Sequence, residues 1–457
     1  MTDRAPYRFK FGKVEGRRLR PASAGVDFRL DEQHIREFLL RTPGKRQRDL
    51  LRIGMAVYVA DRLERRVRKS VERGGARELN LDVDVQDWDF WSSDANSALV
   101  RQALRQLSGD DWHVRFTPGG AVEEVEPFLR LPEEPSGVCL YSGGLDSAAG
   151  LATRLRTRAG PMIAVTANHQ PGQRRRVTSQ LDAIGRRYEA HVYPLVVRTT
   201  LVKPPRMDRQ ELTQRCRSFL FMSLGGVVAN FVGTDSVEVY ENGVGALNLP
   251  LMSGMLVGSR ATRATHPAFL RTMSELLTRV AERPIKFDLP FRHHTKAEIT
   301  RTLKEDGLDG LARSTVSCMH YPLRIRGTAK QCGCCPGCIG RRQALLASGT
   351  EEDPALYVHD LFGDAQAVNN LPFDNISYLK ATLMQVAELA GLEADGSGPD
   401  IFRRHVSGTG LLECNESVSP WVDVMRRYRE EWLKIVAWGH SRGWHWADWL
   451  AACTHAA

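Results

Sequence analysis

Residues 138–147 read VCLYSGGLDS. A short run of apolar residues enters a turn with two glycines, and an acidic residue and a serine open the next segment. Glycines let backbone N–H groups approach an anion closely, and a helix that starts after them directs its positive end at the same place. The hydroxyls of Ser142 and Ser147 add two more donors. The stretch therefore predicts a strand–turn–helix unit that cradles a phosphate.

The same stretch starts an alternation of strands and helices. The segments PMIAVTA, AHVYPLVV and SVEVY are typical of buried strands, and the segments between them have the length and apolar period of helices. This order predicts an α/β fold, a Rossmann-like parallel sheet with helices on both faces. Ligands of such sheets lie at the carboxyl ends of the strands. SGGLDS follows one strand, and the ENG of residues 241–243 follows another.

The rest of the chain predicts two further regions. Residues 1–131 mix short strands, among them YRFKFGKV, with a long arginine-rich helix, and form an N-terminal α+β domain. The linker LRLPEEPSG separates it from the sheet domain of residues 132–348. Residues 349–457 are helical, and most of the nine tryptophans fall between Trp421 and Trp449. These rings form an aromatic core or, alternatively, a surface for a partner.

Composition narrows the classes of function. The formal net charge of the 457 residues is +9, which suits a nucleotide or a nucleic acid, although dispersed surface arginines explain it equally well. No apolar run has the length of a membrane span, and the start of the sequence has no apolar signal segment. We expect a cytoplasmic protein that makes no membrane contact.

Five cysteines lie close together in the sequence. Cys318 precedes the run Cys332-x2-Cys335-x2-Cys338, and Cys334 lies within that run. In a chain without a secretion signal such a cluster indicates a metal site. Four thiolates suit a closed tetrahedral Zn²⁺ site, and the same spacing also occurs in iron–sulfur proteins. Cys334 is predicted to take no part.

SGGLDS resembles the PP-loop of the adenine-nucleotide alpha hydrolases, also called ATP pyrophosphatases. Other stretches are similar to motifs of one branch, the QueC (7-cyano-7-deazaguanine synthase) family, in the same order along the chain. They are PGQRRR with Gln173 and Arg174, CRSFLF with Arg217 and Phe219, TKAEI at residues 295–299, TVSC ending at Cys318, and CGCCPGCIGR ending at Arg341.

The resemblance implies ATP binding, transfer of AMP to a substrate oxygen, and release of pyrophosphate. It implies Mg²⁺ near Asp146, catalytic roles for Asp146, Lys296 and Arg217, and zinc as the metal. Lys296 is alternatively a lysine on the solvated face of a helix start. The ATP-binding residues that it implies are Ser142, Gly143, Gly144, Leu145, Asp146, Ser147 and Gln173, and the zinc ligands are Cys318, Cys332, Cys335 and Cys338.

The sequence departs from QueC in the stretch that handles the deazaguanine. The family's SGYPDCR block is missing, so that Glu241 and Asn242 are the remaining candidates for substrate binding, unless ENG is only a turn. The long flanking regions resemble the QueC-like proteins of bacterial antiphage systems, QatC and type IV CBASS.

This second resemblance implies adenylation of a 7-deazaguanine carboxylate, followed by transfer to an amine of a partner protein encoded nearby. The alternatives are a nitrile synthase of queuosine biosynthesis, a tRNA-modifying PP-loop enzyme, and a nucleotide-binding subunit without catalysis.

Overall fold

The structure is a computed structural model. It describes residues 7–10, 13–15, 26–30, 43–65, 76–119, 134–158, 160–168, 172–202, 211, 215–249, 263–320, 331–363, 367–371, 373–393, 397–407, 409–414 and 417–450. Within these ranges, no helix has the length and apolar character that a membrane span requires.

Ten strands are present. In chain order they are β1 (Tyr7–Lys10), β2 (Lys13–Glu15), β3 (Val26–Leu30), β4 (Glu78–Val85), β5 (Asp111–Pro118), β6 (Gly137–Leu140), β7 (Met162–Asn168), β8 (Val192–Val202), β9 (Ser236–Val239) and β10 (Lys286–Asp288). The segment YRFKFGKV was expected to form one strand. It contributes to two antiparallel strands instead, with Lys10 opposite Lys13.

The α-helices are α1 (Lys45–Leu63), α2 (Trp88–Ser92), α3 (Asp94–Ser108), α4 (Leu145–Thr157), α5 (Gln173–Tyr188), α6 (Arg217–Val232), α7 (Gly243–Leu247), α8 (Pro267–Ala281), α9 (Lys296–Glu305), α10 (Asp309–Ser314), α11 (Pro336–Ala347), α12 (Phe373–Glu388), α13 (Gly398–Val406) and α14 (Ser419–Ser441). Short 3₁₀ helices cover Pro354–Leu356, Ala367–Asn370, Leu389–Glu393 and Leu412–Cys414.

The strands form a single sheet in the order β10-β9-β6-β7-β8-β3-β2-β1-β4-β5. The five strands from β10 to β8 are parallel, as the alternation of strands and helices predicts. SGGLDS follows β6, the middle strand of these five. The carboxyl ends of β6 and its neighbour β9 therefore bring residues 142–147 and 241–243 to the same edge of the sheet.

Helices cover both faces of this parallel part, which confirms the predicted fold class. Successive residues of β6 alternate between two apolar cores, because side chains of a strand point to opposite faces. Val138 and Leu140 pack with α1, α6 and α8, whereas Cys139 and Tyr141 pack with α4, α5 and α9.

The N-terminal region continues the central sheet. Strand β3 pairs antiparallel with β8, with Phe28 opposite Leu201, and α1 packs on α6 in the same apolar core. A buried ion pair supports this contact: Arg77 binds Asp110 (Nη2–Oδ2, 2.6 Å) and Asp61, and Asp61 Oδ2 accepts a hydrogen bond from the backbone N–H of Cys216 (3.0 Å). The predicted boundary at residues 131 and 132 lies outside the described residues, and the division into domains stays a prediction.

The C-terminal region is helical and packs against the cysteine cluster. Trp432, Trp444 and Trp446 are buried with Phe362 and the five clustered cysteines in a third core. Trp421 is also buried, in the core that includes α6 and α8. For these four rings the core interpretation is confirmed. Trp438, by contrast, is 37% exposed.

A close approach between α4 and the end of β9 gives the first prediction. A Cβ added at Gly150 would lie 2.3 Å from Tyr240 Cβ, whereas one added at Gly310 in α10 would meet nothing within 4 Å. We expect Gly150→Ala to lower the free energy of unfolding by about 1–3 kcal/mol through overpacking. Gly310→Ala, the control, should change it by less than about 1 kcal/mol, in the stabilising direction. Denaturant unfolding measures both, and equal stability of the two variants would contradict the described packing.

Candidate active site and metal centre

The end of β6 is held in place before the loop begins. The backbone N–H of Tyr141 donates to the carbonyl of Val165 (2.8 Å), and its hydroxyl donates to Gln180 Oε1 (3.0 Å). Thr166 Oγ1 donates to the carbonyl of Tyr141 (2.6 Å). The chain therefore leaves the sheet at a fixed point, which is what a backbone anion site requires.

The turn itself depends on Gly143, whose φ of +79° is a conformation that other residues rarely adopt. Gly144 donates its N–H to Ser142 Oγ (3.2 Å), Ser147 Oγ donates to the carbonyl of Gly144 (3.1 Å), and the two serine hydroxyls lie 3.1 Å apart. Leu145 begins α4, and its side chain is fully buried, so that only its backbone can serve a ligand. Hydroxyls, N–H groups and a helix start thus meet as the sequence predicts for a phosphate cradle.

Gln173 also lies at this loop. It is the first residue of α5, and its Nε2 donates to the carbonyl of Ser142 (3.4 Å). Pro171, the position at which the sequence departs from the family's tyrosine, lies outside the described residues. Direct contact of Gln173 with ATP stays a prediction, but the structure does place the residue beside the cradle.

A charged cluster adjoins the cradle. Lys296 Nζ lies 2.7 Å from Asp146 Oδ2, and the two side chains are only 20% and 18% exposed. Asn242 Nδ2 donates to Asp146 Oδ1 (2.9 Å) and to Glu241 Oε1 (2.8 Å). Four residues predicted separately for catalysis or substrate binding are therefore in one network, at the carboxyl ends of β6 and β9.

Burial and charge shift the pKa values in this network. Burial, followed by repulsion from Asp146, raises the pKa of Glu241 to about 8. Burial alone would lower the pKa of Lys296, but attraction to Asp146 and Glu241 outweighs it and raises that pKa above its ordinary value. At neutral pH the network therefore contains a charged lysine and a mostly neutral Glu241.

Asn242 has a second role that the sequence pattern did not show. Its Oδ1 accepts a hydrogen bond from the N–H of Gly245 (2.9 Å) and so caps α7. With the amide oxygen bound there, the amide nitrogen must face Asp146 and Glu241. Asn242 thus orients both carboxyl groups, and its contact with substrate stays a prediction.

Lys296 stands at the start of α9, where a capping box fixes it. Thr295 Oγ1 accepts from the N–H of Glu298 (3.1 Å), and Glu298 Oε2 accepts from the N–H of Thr295 (2.8 Å). Helix α14 holds this helix start from the other side. Arg427 Nε donates to Glu298 Oε1 (2.7 Å), and the Thr295 hydroxyl donates to the carboxyl group of Glu431.

Arg217 lies away from this cluster in its described contacts. It is the first residue of α6, on the face of the sheet opposite α4. Its charge interacts with Tyr58 and Arg62 of α1, and burial lowers its pKa. A catalytic role for Arg217 stays a prediction.

The predicted metal ligands come together in space. The sulfur atoms of Cys332 and Cys338 are 3.8 Å apart, and those of Cys318 and Cys335 belong to the same compact group. Sulfur atoms about 2.3 Å from a tetrahedral zinc ion lie about 3.8 Å from each other. Backbone N–H groups also donate to the sulfurs of Cys318 and Cys332, at 3.4 Å in both cases. The cluster can therefore hold a metal such as zinc.

His320 is a possible ligand that the sequence reading missed. Its ring nitrogen groups with the sulfurs of Cys318, Cys332 and Cys335, all within 4.8 Å of one another. The signal was the Cys-x-His spacing in SCMH, at residues 317–320. Cys338 is buried, whereas His320 is exposed, so that a closed site favours the four cysteines.

Mg²⁺ is compatible with the residues around Asp146. Each oxygen of this carboxylate accepts one described contact and keeps lone-pair capacity for another. Mg²⁺ in nucleotide sites takes one or two carboxylates in addition to phosphate oxygens. Asp146 would hold the ion against bound phosphates, and the ion would neutralise their charge.

The strand order, the loop after β6 and the adjoining cluster define the class, an α/β PP-loop unit. Residues 264–349 match the family model for queuosine biosynthesis protein QueC. The chain is 28% identical over 235 residues to the 7-cyano-7-deazaguanine synthase of Nitrosococcus oceani, covering 49% of this chain and 98% of that protein. It is 28% identical over 144 residues to the same-named protein of Acinetobacter baylyi, covering 31% of this chain and 56% of that protein. No solved structure gives a significant match. The chain is QueC-like at low identity.

Proposed function

We propose that the protein adenylates the carboxylate of a 7-deazaguanine, 7-carboxy-7-deazaguanine, and transfers the acyl group to an amine. One observation carries the proposal: the anion cradle of residues 142–147 and the cation of Lys296 lie around the same carboxylate, Asp146. An enzyme that splits ATP between its α- and β-phosphates needs this combination of donors and positive charge around the reacting phosphorus.

The first step forms an acyl adenylate. A carboxylate oxygen of the substrate attacks the α-phosphorus, the bond between the α- and β-phosphates breaks, and pyrophosphate leaves. The N–H groups and hydroxyls of the loop bind the pyrophosphate part, and Lys296 offsets the negative charge that develops on the phosphoryl oxygens. Asn242 holds Asp146 towards the lysine throughout.

The second step transfers the acyl group. An amine nitrogen attacks the acyl carbon, AMP leaves, and the nitrogen loses a proton, so that an amide remains. We propose that a protein encoded near this gene supplies the amine and that the reaction serves defence against phages. The regions outside residues 132–348 support a macromolecular acceptor, since ammonia would require no additional surface.

The relatives favour a second candidate, 7-cyano-7-deazaguanine synthesis, because both carry that name. In that reaction the acceptor is ammonia and the product is a free nitrile. The two candidates share the adenylation step and the residues around Asp146. They differ only in the acceptor, so that a product analysis separates them.

The experiment uses the full chain, ATP, Mg²⁺, 7-carboxy-7-deazaguanine and the protein encoded by the neighbouring gene. We expect pyrophosphate and AMP in equal amounts, and intact-mass spectrometry should show one deazaguanine acyl group added to the neighbouring protein. A parallel reaction contains ammonium instead of the protein. Full conversion to free 7-cyano-7-deazaguanine with ammonium, and no added mass on the protein, would support the nitrile synthase instead.

A further inference from the structure

A cavity of about 190 Å³ opens beside the charged cluster. Asn242 and Lys296 line it from the QueC-like side, together with Gln343 of α11. Its opposite wall comes from the C-terminal region, with Gln385 on α12 and Tyr428 on α14. Both helices lie outside the residues that match the family model, 264–349.

The cavity directly adjoins the atoms that the adenylation step needs. Lys296 lines it and at the same time contacts Asp146 at 2.7 Å. Asn242 lines it and donates to Asp146 at 2.9 Å. A carboxylate bound at this end of the cavity would therefore lie next to Lys296, on the side of Asp146 that faces away from the bulk of the chain's N-terminal region.

The walls combine amide groups with apolar surface. Gln343 Nε2 donates to Glu431 Oε2 (2.8 Å), and Gln385 Nε2 donates to the carbonyl of Leu249 (3.4 Å). With both nitrogen atoms bound, the amide oxygens are the groups that remain to accept from a ligand N–H. Ile339 and Met425 add apolar contact. The volume is below the range of about 300–1,000 Å³ for drug-sized ligands, so that a small ring system is the appropriate size.

We propose that α12 and α14 form one wall of the acceptor-acid pocket and select a planar, N–H-rich heterocyclic carboxylate. The carboxylate lies at Lys296, the ring lies between Ile339 and Met425, and the amide oxygen of Gln385 accepts from a ring N–H. This inference rests on the proposed adenylation. It assigns the selection of the substrate to a part of the chain that the family model does not cover.

Calorimetric titration of the full chain with 7-carboxy-7-deazaguanine, and separately with ATP, tests the proposal. Met425→Trp fills the cavity and should weaken binding of the heterocycle at least tenfold, while the affinity for ATP stays within twofold. Leu433→Trp, on the exposed side of the same helix, is the matched control and should leave both affinities unchanged. Gln385→Leu, which keeps the size of the side chain, should weaken heterocycle binding several-fold even if Met425→Trp does not fold.

The outcomes distinguish the two levels of the argument. If the wild type binds and adenylates the heterocycle and both cavity variants bind it normally, the pocket assignment is wrong while the proposed function stands. If the wild type neither binds the heterocycle nor releases pyrophosphate with it, the proposed function and the pocket both fall. Selective loss of heterocycle binding in the variants supports both.

Discussion

Replacement of Asp146 by alanine should reduce ATP-dependent pyrophosphate release at least about a hundredfold, the effect typical of removing one preorganised polar group from a transition-state site. The carboxylate binds Lys296 and Asn242 and is the residue placed to hold Mg²⁺. Its removal leaves the lysine without the partner that fixes its position beside the loop. Because α4 is held by a large buried face, the fold itself should survive.

The measurement is a coupled pyrophosphate assay with 7-carboxy-7-deazaguanine, accompanied by circular dichroism to verify the fold. Asp182→Ala is the control, since Asp182 is an exposed aspartate on α5 and should retain full activity. Turnover of Asp146→Ala at the wild-type rate would refute the catalytic interpretation of the cluster, including the role of Lys296.

Replacement of Cys335 by serine should remove the metal. Purified wild-type protein is expected to contain about one zinc ion per chain if the four cysteines form a closed site. A metal present at about a thousand times its Kd contributes about 4 kcal/mol to the free energy of unfolding. The C-terminal helices pack on the cysteines, so that this region should lose stability first.

Elemental analysis and thermal unfolding test this expectation. Cys414→Ser is the matched control, because Cys414 lies outside the cluster and donates only to the carbonyl of Gly410 (3.3 Å) among its described sulfur contacts. If Cys335→Ser does not fold, a strong chelator added to the wild type provides the same comparison. Iron with acid-labile sulfide in a brown protein would show that the cluster holds iron–sulfur instead, and a metal-free stable protein would contradict any metal site.

The central part of the fold was predictable because its signals are local. Each strand of the parallel sheet is a short apolar run followed by a helix, and the loop at Gly143 has a glycine where φ is positive. The carboxyl-end rule then places Asp146 and Asn242 together without further information. Spacing alone likewise brought the four cysteines into one prediction.

The remaining features depend on contacts between distant parts of the sequence. The pairing of β3 with β8 joins strands separated by more than a hundred residues, and no local pattern specifies which edge a strand will choose. The same holds for Glu431, whose contact with Thr295 links α14 to the start of α9. A single glutamate in a polar helix carries no signal of that role.

The continuity of the sheet across β3 and β8 limits how this chain can be divided. A fragment that begins near residue 134 would expose the whole of β8 as an unpaired edge strand, which is a template for aggregation. It would also uncover the apolar side of α6 that α1 now occupies. Relatives in which the conserved enzyme stands alone must protect that border differently. In this protein the N-terminal strands act as a covalently attached edge guard, so the catalytic part and its flanking region form one unit of inheritance and of folding.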